Sequence, residues 1–390
     1  MTILICIPCL MTGGTEIQTL NLVKALVSAE HRVVTACYFE YTPEMVARYK
    51  EAGSEVVLFE PEGKRIGGWR GVLFLYRHLR QCVKRYKPDV AHVQYMAPGA
   101  QPVIFLKLLG VRKIIATAHT DARIYRSLKL LHFLQRHVLD AFTCITQRAE
   151  EEFFGSSLLY TENTPLPPHA HLTIHNALPE HLELLEPERV LSTSLTIGIA
   201  SRLEKIKGMD LVIPAFAHLR VRIPDARLLV VGDGSLRESM QRQAEELRIQ
   251  EAIEWAGRQP QELLAAFYDR MDLFWMPSRS EGFGLSALEA MARGCPVIAS
   301  DVGGLPELLQ EGDSGILVPA EDIDSLTEQS LQLQSSPEQW EQMSRAAQTR
   351  AAEFSMKRFS RLINNLYGKI LGCLSVSYTH LRAHETDSYL

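Results

Sequence analysis

Long apolar runs are missing from this 390-residue chain. None approaches the ~18 continuous residues of a membrane-spanning helix. The first apolar stretch, Ile3 to Met11, is short and has no basic residue before it, so it reads as a first strand and not as a secretory leader. Cysteine is sparse and scattered, at 6, 9, 37, 82, 144, 295 and 373. That excludes a disulfide scaffold and suits a reducing cytosol. Only Cys6-Ile-Pro-Cys9 has redox spacing, and it lies in the strand instead of opening a helix, which leaves ordinary buried thiols. A metal centre is not expected. His169, His171 and His175 crowd together, but the first two sit by a Pro-rich loop without acidic support. Asp322-Ile-Asp324 stands at a helix start, where acids cap and favour the dipole. Acidic residues are scarce between 64 and 148, three against 16 basic ones, although the whole chain carries −5. Such a basic block suits an anionic membrane surface or a phosphate-bearing acceptor; no nucleic-acid partner is expected.

What remains is a chain of two-domain length with 46% hydrophobic and 22% charged residues, the balance of a globular protein. Strand and helix patterns alternate. Ile3–Cys9, Arg32–Tyr38, Glu55–Phe59, Asp89–Val93, Lys113–Thr117 and Ala141–Ile145 read as strands. Helical spacing fills Glu16–Ala29, Pro43–Ala52, Trp69–Lys87, Gly99–Leu109 and Ile124–Val138. A strict βα alternation predicts an α/β fold with parallel sheets covered on both faces, and ligands beyond the strands' carboxyl ends. Strand patterns resume at Leu172–His175, Leu195–Ala200, Arg227–Val231, Ile253–Gly257 and Asp272–Met276. Trp69–Lys87 places Arg70, Arg77, Arg80, Lys84, Arg85 and Lys87 opposite its apolar positions. It fits either a charge-laced surface helix or a basic amphipathic helix on anionic lipid.

The stretch Pro277 to Asp301 carries the chemistry. After a buried strand, Gly282 and Gly284 free the backbone to turn and approach a ligand, and helical spacing begins at Leu285. A glycine loop entering a helix offers unpaired donors and the positive dipole end to an anion. Glu281 and Glu289 frame the loop. Glu289 shares part of the inward face, where a carboxylate needs partners such as ribose hydroxyls; alternatively it pairs with Arg293 one turn on and Glu281 is only solvated. Upstream, Arg202-Leu-Glu-Lys-Ile-Lys207-Gly208 joins a strand to a helix. Its Arg and Lys, five apart, can converge on a diphosphate.

Glu281-Gly-Phe-Gly-Leu-Ser-Ala-Leu-Glu289 resembles the E-x7-E motif of retaining glycosyltransferases of the GT-B fold, family GT4, and the likeness runs over residues 3 to 371. It implies two Rossmann-like domains facing across a cleft: 1–178 for the acceptor, a linker at 179–194, 195–353 for the nucleotide-sugar, and a helix at 354–373 crossing back. Residues 374–390 lack apolar period, resemble adapter read-through, and are expected to be disordered. The resemblance implies that Arg202 and Lys207 hold the donor phosphates, with amides at Phe283, Gly284 and Leu285. Glu281 then serves the sugar and its developing cation, and Glu289 the ribose. Gly13-Gly14 resembles the flexible loop facing donor and acceptor, and Gly232-Asp-Gly234 the turn that shapes the nucleotide site. Thr117-Ala-His119 resembles the segment whose His approaches the sugar; the usual following Asp is displaced by Thr120 to Asp121. Arg123 and Arg126 lie where a phosphate-bearing acceptor would. Asn176 keeps only part of the usual hinge motif, and Glu307 caps or orients. The implied reaction is a retaining sugar transfer without cofactor or obligatory metal, from a nucleotide-sugar to a glycan or lipid-linked acceptor, in the cytoplasm or at the inner membrane face. A sugar-nucleotide epimerase of the same fold and a non-catalytic nucleotide-sugar-binding subunit are the rival readings.

Overall fold

The structure, a computed structural model, describes all residues except 95–99, 121, 123, 124, 126, 181, 183–188 and 373–390. The tail and the acceptor-side residues Asp121, Arg123 and Arg126 therefore lie outside the described residues, as do 181 and 183–188 of the expected linker.

The βα alternation produces two wholly parallel sheets. The first contains β1 (Thr2–Ile7), β2 (Arg32–Cys37), β3 (Glu55–Leu58), β4 (Val90–Gln94), β5 (Lys113–Ala118), β6 (Ala141–Cys144) and β7 (Ala170–Thr173), in the order β3-β2-β1-β4-β5-β6-β7. The second contains β8 (Thr196–Ala200), β9 (Arg227–Val231), β10 (Ile253–Gly257), β11 (Leu273–Met276), β12 (Val297–Ser300) and β13 (Ile316–Val318), in the order β10-β9-β8-β11-β12-β13. Their strands read as near-continuous Val/Ile/Leu runs because both faces are buried. Helices α1 (Gly14–Ser28), α2 (Pro43–Glu51), α3 (Gly68–Tyr86), α4 (Gln101–Leu108), α5 (Leu128–His137) and α6 (Gln147–Phe154) belong to the first sheet. The second is followed by α7 (Met209–Arg222), α8 (Arg237–Glu246), α9 (Leu264–Tyr268), α10 (Leu285–Ala292), α11 (Leu305–Leu308), α12 (Ile323–Ser335) and α13 (Pro337–Ala352).

Two details depart from the sequence pattern. The strand expected at Leu172–His175 starts at Ala170, immediately beyond the Pro165–Pro168 segment, whose prolines carry no N–H for a ladder. The pattern assigns no strands to Val297–Ser300 or Ile316–Val318, runs of four and three residues too short to show a period. Both are central to closing the second sheet.

The last helix, α14 (Met356–Leu371), leaves the second domain and lies on α1 of the first. Its Phe359, Ile363, Leu366, Tyr367 and Ile370 fall on one face at helical spacing and join Leu20, Val23 and Leu26 in one core. The Tyr367 hydroxyl meets His92 Nδ1 at 2.8 Å inside that core.

In both sheets the order reverses once, between β1 and β4 and between β8 and β11. A crevice opens beyond the carboxyl ends at such a point. The loops there are 8–13 in the first domain and 201–208 and 277–284 in the second, and they face each other.

Candidate active site

Four close approaches bring the loops together. A Cβ on Gly14 would stand 3.3 Å from the Leu285 side chain, and one on Gly282 would stand 2.6 Å from the His119 carbonyl. Within the second domain, a Cβ on Gly232 would fall 1.9 Å from the Ser201 carbonyl and one on Gly234 2.6 Å from that of Leu203. The 232–234 turn is thereby pressed onto the loop that carries Arg202. Leu203 N–H to Asp233 O (3.0 Å) and Leu236 N–H to Leu203 O (2.9 Å) hold the two in place.

Lys207 ends a 3-10 turn, and Gly208 behind it has φ +68 with no room for a Cβ against the Pro277 carbonyl. The turn directs the Lys207 ammonium onto Glu281: Nζ to Oε2 is 2.5 Å, with the side chains 18% and 12% exposed. The two motifs are joined by one charge-assisted bond across 74 residues. Arg202, by contrast, is exposed, and its guanidinium has no hydrogen-bond partner among the described residues. Its charge reaches Glu16 of the first domain and Glu204.

Gly284 opens α10 at φ +98, a left-handed conformation disfavoured for side-chain-bearing residues, and a Cβ there would meet Leu305 at 2.7 Å. One helical turn beyond Leu285, Glu289 is buried and accepts the Tyr268 hydroxyl at 2.7 Å. Burial pushes its carboxyl up to about 7, against the Tyr268 bond, which lowers it. The alternative pairing with Arg293 is not formed, because Arg293 turns to Asp269 with bonds of 2.7 and 2.8 Å. The Arg293 N–H donates to the Glu289 carbonyl at 3.3 Å.

His119, just past the end of β5, is buried and donates Nε2–H to Gln94 Oε1 at 2.8 Å. Burial lowers its imidazole to about 3, so it is neutral at physiological pH and fit for hydrogen bonding, not for holding a charge. Gln94 escapes the sequence reading. The signal that finds it is position, since it closes β4 at the switch point, and its Nε2 is buried without a partner among the described residues. Tyr268 is likewise invisible in the motif, lying 21 residues before the carboxylate it holds. On the first-domain side, Glu16 is buried in the opening turn of α1 and accepts the Cys9 thiol at 3.1 Å. Burial and then Glu16 push the Cys9 thiol up, and burial raises Cys6 to about 12; both sit far from thiolate chemistry.

The three histidines separate. His171 Nδ1 bonds Glu150 at 2.5 Å, His169 Nδ1 donates to Leu139 O at 2.6 Å, and His175 Nε2 bonds Glu307 at 2.5 Å. Among the described residues no three His, Cys, Asp or Glu could hold a metal ion. Asp322 accepts Ser325 N–H at 2.9 Å and caps α12. No helix among the described residues is long and apolar enough to cross a membrane.

Comparison with known proteins bears on the family and the fold. The model of glycosyl transferases group 1 matches residues 184–350, and that of glycosyltransferase family 4 matches residues 12–155. The N-acetyl-alpha-D-glucosaminyl L-malate synthase of Bacillus anthracis is 30% identical over 313 residues, 77% of this chain and 79% of that protein. A GDP-mannose-dependent phosphatidylinositol monomannoside mannosyltransferase of Mycolicibacterium smegmatis is 31% identical over 56% of this chain and 60% of its own length. A D-inositol 3-phosphate glycosyltransferase of Corynebacterium aurimucosum is 34% identical over 44% of this chain, and the match spans 42% of that relative. Among solved structures, Anabaena HepE in complex with UDP and glucose superposes with TM-score 0.77 at 18% identity, covering 95% of this chain and all of the other. The lipopolysaccharide galactosyltransferase WaaB gives 0.69 at 16%, again covering 95% and all.

Proposed function

The chain belongs to the family 4, group 1 glycosyltransferases, and from that premise we propose that it transfers a sugar from a nucleoside diphosphate donor with retention of configuration and without a metal ion. The observation that carries this reading is the Lys207–Glu281 contact beside the Gly284 opening of α10. It joins a cation for the departing diphosphate to a carboxylate for the sugar at one point of the cleft. In this structure each neutralises the other. On donor binding the β-phosphate takes the Lys207 ammonium, Arg202 adds a second positive group from its solvated position, and the Phe283, Gly284 and Leu285 amides complete the cradle. Glu281 is then released to the sugar hydroxyls and to the positive charge that develops at the anomeric carbon. Glu289 accepts the ribose hydroxyls while Tyr268 holds it. Neutral His119 bonds a sugar hydroxyl, with Gln94 behind it.

The boundaries 1–178 and 195–353 are the acceptor and donor domains in this reading. The acceptor is a glycan or lipid-linked intermediate taken up at an anionic membrane surface. Helix α3 supports this: Trp69 is 72% and Leu73 46% exposed at its start, with Arg70 stacked on Trp69 and Arg77 and Arg80 following. An apolar edge with cationic flanks fits a headgroup layer.

Thermal stabilisation by UDP-, GDP- and ADP-sugars, each with and without chelator, tests the donor site. Incubating the best donor alone separates a transferase, which hydrolyses it slowly, from an epimerase, which converts it. The anomeric configuration of a trapped product then decides retention. Stabilisation by none of the donors, or by one only with metal, overturns this reading.

A further inference from the structure

Glu307 reaches out of the second domain into the first. Its carboxylate accepts the Gln147 N–H with both oxygens, at 3.0 and 2.8 Å, and the Arg148 N–H at 3.4 Å. These are the opening N–H groups of α6, which its own helix cannot satisfy. The Thr146 hydroxyl serves only Ala149. His175 Nε2 bonds the same carboxylate. The side chain is 16% exposed. Burial opposes its ionisation, but His175 and the two N–H groups win and hold the carboxyl below its ordinary value. The accompanying Arg148–Asp301 pair is long and exposed and adds little.

The other side of this joint is in the cleft. The Gly304 N–H, three residues before Glu307, donates to the Glu281 carbonyl at 3.2 Å. Gly303, at φ +55, leaves no space for a Cβ against that carbonyl, and a Cβ on Gly304 would collide with both the Gly282 carbonyl and Thr146. The His175 ring packs between Phe283 and Phe354, at 5.8 and 5.4 Å. One short segment therefore contacts the backbone of Glu281 with its start and the first domain with its end.

We propose that Glu307 is a positioning residue for sugar transfer: by capping α6 across the cleft it couples domain closure to the placement of the Glu281–Gly284 loop. The role of that loop rests on the reading given under Proposed function. Opening the cleft strips the cap from α6 and unties the Glu307 end of the segment whose Gly304 end bears on the loop, so the segment is held at both ends only when the domains are together.

The test compares the full chain with Glu307→Gln, Glu307→Ala and Gln147→Pro. The last deletes the capped N–H at the first helical position, where proline is tolerated, and Thr146 before it is already extended, as a residue preceding proline must be. X-ray scattering reads the domain separation with and without UDP. Calorimetry reads UDP and GDP affinity, and turnover is measured with the stabilising nucleotide-sugar. A charge-assisted bond shifts closure on the order of ten- to a hundredfold. All three variants are expected to have a larger radius of gyration and at least about tenfold lower turnover, with nucleotide affinity within about threefold of wild type. Wild-type scattering and turnover in Glu307→Ala and Gln147→Pro overturn the proposal. So does a parallel fall of nucleotide affinity, turnover and melting temperature, which marks a merely structural residue. A wild type that binds neither UDP nor GDP removes the functional reading instead; scattering alone then decides the cross-domain cap.

Discussion

Replacing Glu289 by Gln should stabilise the second domain while weakening donor binding. The carboxyl is buried in a mostly apolar surround, with the Tyr268 hydroxyl as its partner at 2.7 Å. Its value of about 7 stands well above the ordinary 4.5. The folded chain thus keeps a proton that the unfolded chain releases. Stability contributed by the neutral acid is complete below about pH 4.5 and declines as pH rises toward 7. A separation of about two and a half pH units corresponds to about 3 kcal/mol. Glutamine keeps the carbonyl that accepts from Tyr268 but never ionises, so this loss vanishes. Melting curves at pH 5 and pH 8 should show the wild type losing about 2.5 kcal/mol relative to Glu289→Gln, or roughly 5–10 °C for a domain of this size. Calorimetry at pH 8 with the preferred nucleotide should show the opposite ranking, because a neutral amide accepts ribose hydroxyls less strongly than a carboxylate. A variant that tracks the wild type at both pH values would refute the burial account of Glu289. Unchanged nucleotide affinity would refute its assignment to the ribose.

Three further outcomes are expected. Glu281→Gln should keep nucleotide affinity and lose transfer by about a hundredfold or more; a large loss of UDP binding by calorimetry counts against its role at the sugar. Arg202→Ala should weaken nucleoside diphosphate binding by roughly 2–4 kcal/mol, and an unchanged affinity removes Arg202 from the site. Sedimentation with vesicles should show binding that needs anionic lipid, falls with salt and drops when Trp69 and Leu73 become Asp. Salt-independent binding, or none, removes the membrane surface from the proposal.

The α/β alternation is legible because βα periodicity is local: each strand or helix declares itself within about a dozen residues, whereas the two-domain GT-B arrangement is what the E-x7-E resemblance implies. The short strands Val297–Ser300 and Ile316–Val318 are not, since their identity comes from pairing with β11 and with each other. The candidate site divides in the same way. One loop-to-helix segment carries Glu281, Gly284 and Glu289, and the strand-end rule adds the Arg202–Lys207 loop. The partners that set each group's chemistry lie far off in sequence. Tyr268 decides what Glu289 touches, Asp269 draws Arg293 away from it, and Gln94 orients His119. Glu307 can be marked as a capping acid from its place in a helix start, but the helix it caps begins 160 residues earlier.

Helix α14 has a bearing on how this enzyme can be taken apart. Its apolar face forms one wall of the first domain's interior, although it is encoded after the whole of the second. A fragment ending near residue 178 would bare the surface that Phe359, Ile363, Leu366 and Ile370 cover, forfeiting roughly 1.5–3 kcal/mol for each. Hybrids that exchange one half between relatives should therefore carry residues 356–371 with the amino-terminal half; a single crossover point cannot give a well-packed product.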